Sequence, residues 1–173
     1  MMRRPDGCRM GIRYYGYAFD GDLTEKALAD PRAFISSDPL ADAWGMEPHA
    51  QYSVATFQQR TPERDLLYLD KAWRDLQAIT GPMRPAYRLF EGDVTMSSDG
   101  YSWTPWVRAL PPDEMPTIAD DLIRITSASA RKRFRLQGLS AEDADYVVRY
   151  LEAARTFVRG LARDGRGMAY LIG

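Results

Sequence analysis

Between Ser140 and Ile172 the chain spells out an amphipathic helix followed by a strand, and that pair constrains the rest of the fold more than any other stretch. Ser140 has the side chain of a helix N-cap. Glu142 and Asp143 follow in the first turn, where carboxylates complement the positive end of the helix dipole. Val147, Leu151, Ala154, Val158 and Leu161 recur at steps of four and three and lay one apolar stripe along the helix. Such a stripe is stable in water only when something apolar covers it, so the helix demands a sheet. Asp164-Gly165-Arg166-Gly167 ends the helix, and Met168-Ala169-Tyr170-Leu171-Ile172 has the length and content of a buried strand. Arg131 to Leu136 reads as a short strand leading into this helix.

Upstream, Gly11 to Phe19 is aromatic and β-branched enough to be a strand, with Tyr15, Tyr17 and Phe19 sharing one face of the pleat. Thr24 to Ala29 predicts a short helix that stops before Pro31, because a residue preceding proline avoids the helical region. Ser37-Asp38-Pro39 offers an N-cap with proline at the first helical position. Leu66, Leu69, Trp73, Leu76 and Ile79 step by three and four, which predicts one helix from Pro62 to Thr80, ended by Gly81-Pro82. Val94 to Met96 and Tyr101 to Val107 flank a turn at Ser97-Ser98-Asp99-Gly100, and Ile118, Leu122 and Ile125 mark a helix over 117–126. The expected architecture is a single α+β domain over 10–173: a small, mainly antiparallel sheet packed against helices near 62–80, 117–126 and 140–163. Residues 1–9 are polar and aperiodic and read as a flexible tail.

Composition removes several function classes. With 23 basic and 24 acidic residues the formal charge is −1, which attracts neither nucleic acid nor an anionic membrane over the whole surface. One cysteine, Cys8, excludes an intrachain disulfide framework and suits a reducing compartment. The start of the chain has basic residues but no apolar run behind them, and no segment has the length of a membrane span, so the expected location is cytoplasmic. No cofactor motif and no metal-ligand spacing is present in the sequence.

The order of parts resembles the YfbM-like family, a family of unknown function. The likeness rests on Met10-Gly11 followed by an aromatic strand, on the segment Leu69-Asp70-Lys71-Ala72-Trp73-Arg74-Asp75-Leu76, and on the closing helix, glycine turn and Tyr170-Leu171-Ile172-Gly173 strand. It spans residues 10–173. A histidine commonly follows the tryptophan in that family's helix, and Gln77 stands at about that place here. The resemblance implies an α+β fold and carries no activity with it.

Candidate functional residues fall into four groups. Asp70, Trp73 and Arg74 share the expected central helix, where Asp70 and Arg74 read as an i,i+4 pair and Trp73 as either core filler or the wall of a pocket. Tyr101, Trp103 and Trp106 could form an aromatic platform for a partner's side chain. Alternation places Tyr101 and Trp103 on one side and Trp106 on the other. His49 is the only histidine and hence the only ready general base near neutral pH. Arg131-Lys132-Arg133-Phe134-Arg135 is a basic run with an aromatic inside it, the kind of patch that meets phosphates.

Aromatic anchors are present and catalytic constellations are missing, so the expected function is a non-catalytic binding or protein-interaction module that uses the segment Tyr101 to Trp106. The alternatives are a small hydrolase or transferase with a cleft around Trp73 and His49, and nucleic-acid binding through Arg131 to Arg135. Another protein is the expected partner. Met168 to Ile172 could pair with a second copy if it lies at the margin of the sheet.

Overall fold

The closing strand is the centre of the molecule. In the computed structural model, which describes residues 11–173, β6 (Gly167–Ile172) lies between β1 (Tyr14–Phe19) and β5 (Trp106–Leu110), and β2 (Leu66–Asp70) completes the antiparallel order β2-β1-β6-β5. Tyr14 pairs with Ile172 and Phe19 with Gly167 across one ladder, and Trp106 pairs with Ile172 across the other. Every residue of β6 is buried, which is why it reads as an unbroken apolar run rather than an alternating one. A central strand has no free edge, so the expectation that Met168 to Ile172 might pair with a second copy is overturned. The expected tail at 1–9, with Cys8, lies outside the described residues.

Both faces of the sheet are covered. Tyr14, Leu67, Leu69, Leu110, Met168, Tyr170 and Ile172 meet the main helical layer: α3 (Trp73–Thr80), α4 (Tyr87–Phe90), α5 (Met115–Ile123), α6 (Ser127–Leu136) and α7 (Ala141–Asp164). Tyr15, Tyr17, Phe19, Leu66, Ala169 and Leu171 meet a thinner layer that includes α1 (Thr24–Ala29) and α2 (Pro39–Trp44). The expected α+β fold with a small antiparallel sheet is therefore what forms. A separate ribbon of β3 (Thr95–Met96) and β4 (Trp103–Thr104) sits beside the sheet.

The C-terminal helix follows its sequence pattern closely. The Ser140 hydroxyl accepts from the Asp143 N–H at 3.0 Å, and Gly165 closes the helix in the left-handed conformation at φ 65. Val147, Leu151, Ala154, Val158 and Leu161 are all buried. Asp38 caps α2, its Oδ1 accepting from the Ala41 N–H at 3.1 Å.

Two elements differ from expectation. The helix expected over 62–80 begins only at Trp73, and Leu66–Asp70 is the edge strand β2. Leu67 and Leu69 face one core while Leu66 and Tyr68 face the other, a period of two hidden inside leucine spacings that also suit a helix. Arg131 to Leu136 is helical rather than extended. It belongs to α6, capped by the Thr126 hydroxyl, which accepts from the Ser129 N–H at 3.1 Å, and Ala130 and Phe134 are buried one turn apart. Tertiary packing overrides local propensity in the first case, and an overlooked cap decides the second.

Candidate functional site

Where β1 begins and β2 ends, the chain assembles a cluster of tyrosines and arginines around one carboxylate. Asp70 sits at the last position of β2 in left-handed backbone, φ 48, a conformation that aspartate tolerates better than most residues. The turn aims its carboxylate back over the sheet end. Arg13 Nε donates to Oδ1 at 2.9 Å, the Tyr68 hydroxyl donates to the same oxygen at 3.0 Å, and the Tyr146 hydroxyl donates to Oδ2 at 2.6 Å. Trp44 Nε1 in turn donates to the Tyr68 hydroxyl at 3.0 Å. The Arg13 guanidinium also lies over the Trp44 ring, 5.1 Å from its centroid.

Helix α7 supplies the second wall. Tyr146, Arg149 and Tyr150 fall at i, i+3 and i+4 and so share one face. Tyr150 packs edge-on to Tyr146 and Tyr68, and Arg149 lies over both the Tyr146 and Tyr150 rings at 5.8 and 5.7 Å. The third wall is Trp44 at the end of α2 with Phe57 from the following loop, ring centroids 5.5 Å apart. Trp44, Phe57, Arg149 and Tyr150 bound a cleft of about 920 Å³ that Tyr68, Asp70, Gln58 and Glu63 also line.

Burial pushes the hydroxyls of Tyr68 and Tyr146 well up from the usual tyrosine range, and the Asp70 carboxylate beside them adds to the shift. Burial also raises Tyr150. Burial opposes the charge on Arg13, yet its neighbours Tyr68 and Asp70 outweigh that and leave its pKa raised. At neutral pH the tyrosines are therefore donors and the guanidinium is charged. With three donors on its two oxygens, Asp70 is a structural anion rather than a free base.

The residues singled out in the sequence are distributed differently. Asp70 belongs to the cluster, but its expected pair with Arg74 does not form: Asp70 ends a strand, Arg74 opens a helix, and Arg74 bonds Asp93 at 2.7 Å instead. Trp73 is only 2% exposed, sealed in the main core with the Arg74 guanidinium across its ring. His49 is exposed on the loop after α2, so Trp73 and His49 share no cleft. The His49 ring touches the Ser37 hydroxyl through Nε2 at 3.0 Å, while Asp38 accepts from its main-chain N–H rather than from the ring.

Trp103 and Trp106 are half-buried against the same core cluster. The expected alternation fails because Pro105 separates two strands that belong to different sheets. Trp106 lies flat on Gly92, whose φ of 129 and absent side chain make room: a Cβ there would fall 2.4 Å from the indole. Tyr101 projects freely, 89% exposed. In the basic run, Arg131 pairs with Asp145 at 2.7 Å and Arg133 donates to the Ile79 carbonyl at 3.0 Å, so half of that patch is tied into the fold. Gln77 donates to the carbonyls of Phe90 and Gly92 and ties α3 to the chain after α4.

Arg13, Trp44, Phe57, Tyr68, Tyr146, Arg149 and Tyr150 escape the sequence reading. The one local signal is the tyrosine-arginine face of α7, at helical spacing and off the apolar stripe. The described residues hold no cluster of three metal-ligating side chains and no helix long and apolar enough to cross a membrane. No protein-family model matches the sequence, and neither a curated protein nor a solved structure is similar enough to count as a match.

Proposed function

We propose that the chain is a non-catalytic protein-interaction module that seats a partner's side chain in the cleft around Asp70, with the loop Tyr52 to Phe57 as its apolar rim. The observation that carries this reading is Phe57. A bulky aromatic residue at φ 57 is strained, and it is 73% exposed while leaning on Trp44 at the cleft wall. Backbone strain of this kind costs about 1–3 kcal/mol and concentrates at ligand clamps and other functional sites. Tyr52 and Val54 stand beside it at 91% and 87% exposure. Large apolar side chains grouped in the open mark contact surfaces. This loop and cleft are a better-formed binding surface than the Tyr101 to Trp106 segment, whose two tryptophans are half-buried against the core.

The YfbM-like likeness belongs to the same proposal and brings no activity to it, and a cytoplasmic location rests on composition alone. The test is a random-peptide display selection on the folded chain. Selected peptides are expected to lose about tenfold in affinity when the exposed Phe57 and the half-buried Tyr150 are replaced by alanine, with far-UV circular dichroism checking that the variant folds. Peptides that bind the double variant as well as the original chain would place the contact elsewhere.

The Ser37–His49 contact favours a second reading, a serine hydrolase, because a nucleophile and a base within hydrogen-bond reach are its minimal parts. It lacks an orienting carboxylate on the ring among the described residues. Unchanged turnover of an activated ester after Ser37→Ala would remove it.

A further inference from the structure

The cleft around Asp70 does not end at Tyr150. It continues along the open edge of β2 as a groove between that strand and α7, past Thr156 and Phe157, to a second hollow of about 430 Å³ bounded by Arg64, Arg159, Arg163 and Arg166. From Arg149 to Arg163 the helix rises about 21 Å, the span of about six residues of extended chain.

Charge along this groove is unbalanced once internal pairs are removed. Asp70 is held by Arg13 and two tyrosines, Glu152 is offset by Arg155, with which it shares the Ser127 hydroxyl, and Asp164 is matched by Arg163. Arg166 is matched by Asp20 and Asp65. Among the described residues Arg149 and Arg159 have no carboxylate within ion-pair distance, and Arg64 reaches Asp65 only at 3.4 Å with its side chain 83% exposed. Glu63 is the single carboxylate of the groove left over. With Arg64 and Arg166 set against Asp20 and Asp65, Arg149 and Arg159 against Glu63 leave one positive charge over, on a chain whose overall charge is −1.

The floor of the groove also suits an extended chain. The Leu66 N–H and carbonyl point away from β1, to the Pro62 carbonyl and the Gln59 amide. Alternate residues of an antiparallel edge strand aim their main-chain groups the same way, so those of Tyr68 point out of the edge as well.

We infer that the groove binds an extended acidic peptide, whose aromatic side chain enters the cleft walled by Trp44, Phe57 and Tyr150 and whose carboxylates reach Arg149 and Arg159. This rests on the interaction reading above and names the chemistry of the partner. Guanidinium–carboxylate bonds supply selectivity for acid over base, and the Tyr68 main chain supplies one step of strand pairing. A peptide fits better than a nucleic-acid strand because the surplus charge is small and discontinuous, whereas a phosphate backbone needs a continuous basic track.

The experiment is fluorescence anisotropy on the full chain at low salt, with a short labelled peptide carrying one tyrosine followed by a run of aspartate and glutamate. The comparators are the same peptide with lysine in place of each acid and a labelled single-stranded oligothymidylate. The acidic peptide is expected to bind, to weaken by about tenfold or more in the Arg149→Glu, Arg159→Glu double variant, and to outcompete both comparators. Both arginines are exposed and unpaired, so that variant is expected to fold, which far-UV circular dichroism checks. Equal binding of the lysine peptide, indifference to the double reversal, tighter binding of the oligonucleotide, or no binding of the acidic peptide each overturns the inference. Display-selected peptides that need Phe57 and Tyr150 but carry no acids would sink the acidic specificity alone and leave the interaction reading intact.

Discussion

Asp70 combines a left-handed backbone with a carboxylate whose partners come from the residue before β1, from β2 and from α7. Removing it takes away the carboxylate that pairs with one guanidinium and accepts from two hydroxyls, all partly shielded. Asp70→Ala should therefore destabilise the chain by about 3 kcal/mol, through the lost ion pair, the lost hydrogen bonds and a Cβ residue that tolerates positive φ less well. A urea titration measures this, and a loss under about 1 kcal/mol would mean that the cluster is solvated in place of being structural. Asp70 stands out in the sequence as a polar residue within an apolar pattern, but its partner does not. Arg74 is the neighbour that a helical spacing suggests, whereas Arg13 lies 57 positions away and meets Asp70 only because two strands bring their ends together.

Helix α7 carries two kinds of information on two faces. Its buried stripe docks on the sheet and on α5 and α6, while Arg149 and Tyr150 line the cleft. Leu151→Ala is expected to cost about 2–5 kcal/mol, since Leu151 is fully buried and its loss leaves a cavity. Ser140→Ala should cost only about 1 kcal/mol, the value of one cap, and a guanidinium melt of the two variants should rank them in that order. Caps, stripe and glycine stop are legible here because each depends on residues within about four positions of one another. The same local reading fails at Leu66–Asp70, where strand and helix patterns coincide and only the open edge of β1 chooses between them.

Besides Tyr150, six tyrosines pack into or against the two cores: Tyr14, Tyr15, Tyr17 and Tyr170 are buried, and Tyr68 and Tyr146 are half-buried. Burial raises the pKa of every one, with Tyr15 and Tyr170 both moved from 10.0 to about 12. A pKa raised in the folded state means that the native protein holds protons that the unfolded chain has already lost, so stability falls as pH rises. The contribution is complete below pH 10 and is lost as pH passes from 10 toward 12 for Tyr15 and Tyr170, and higher still for the others. The urea midpoint should therefore hold level up to about pH 9.5 and then drop, with the phenolate signal of the buried tyrosines appearing together with unfolding. Phenolate absorbance that reaches the full complement of ten tyrosines while the fold persists would contradict this.

What the amino-acid order dictates unaided is the α+β class, the capped C-terminal helix, the strand that follows it and the aromatic first strand, since each is written in short-range periodicity. Folding alone decides that β6 is central, that Leu66–Asp70 is a strand, that Trp73 is sealed away and that Asp70 gathers Arg13, Tyr68 and Tyr146. Those outcomes depend on which distant segments compete for the same buried surface. That competition is settled by the packing of the complete chain, where neither spacing nor propensity has a voice.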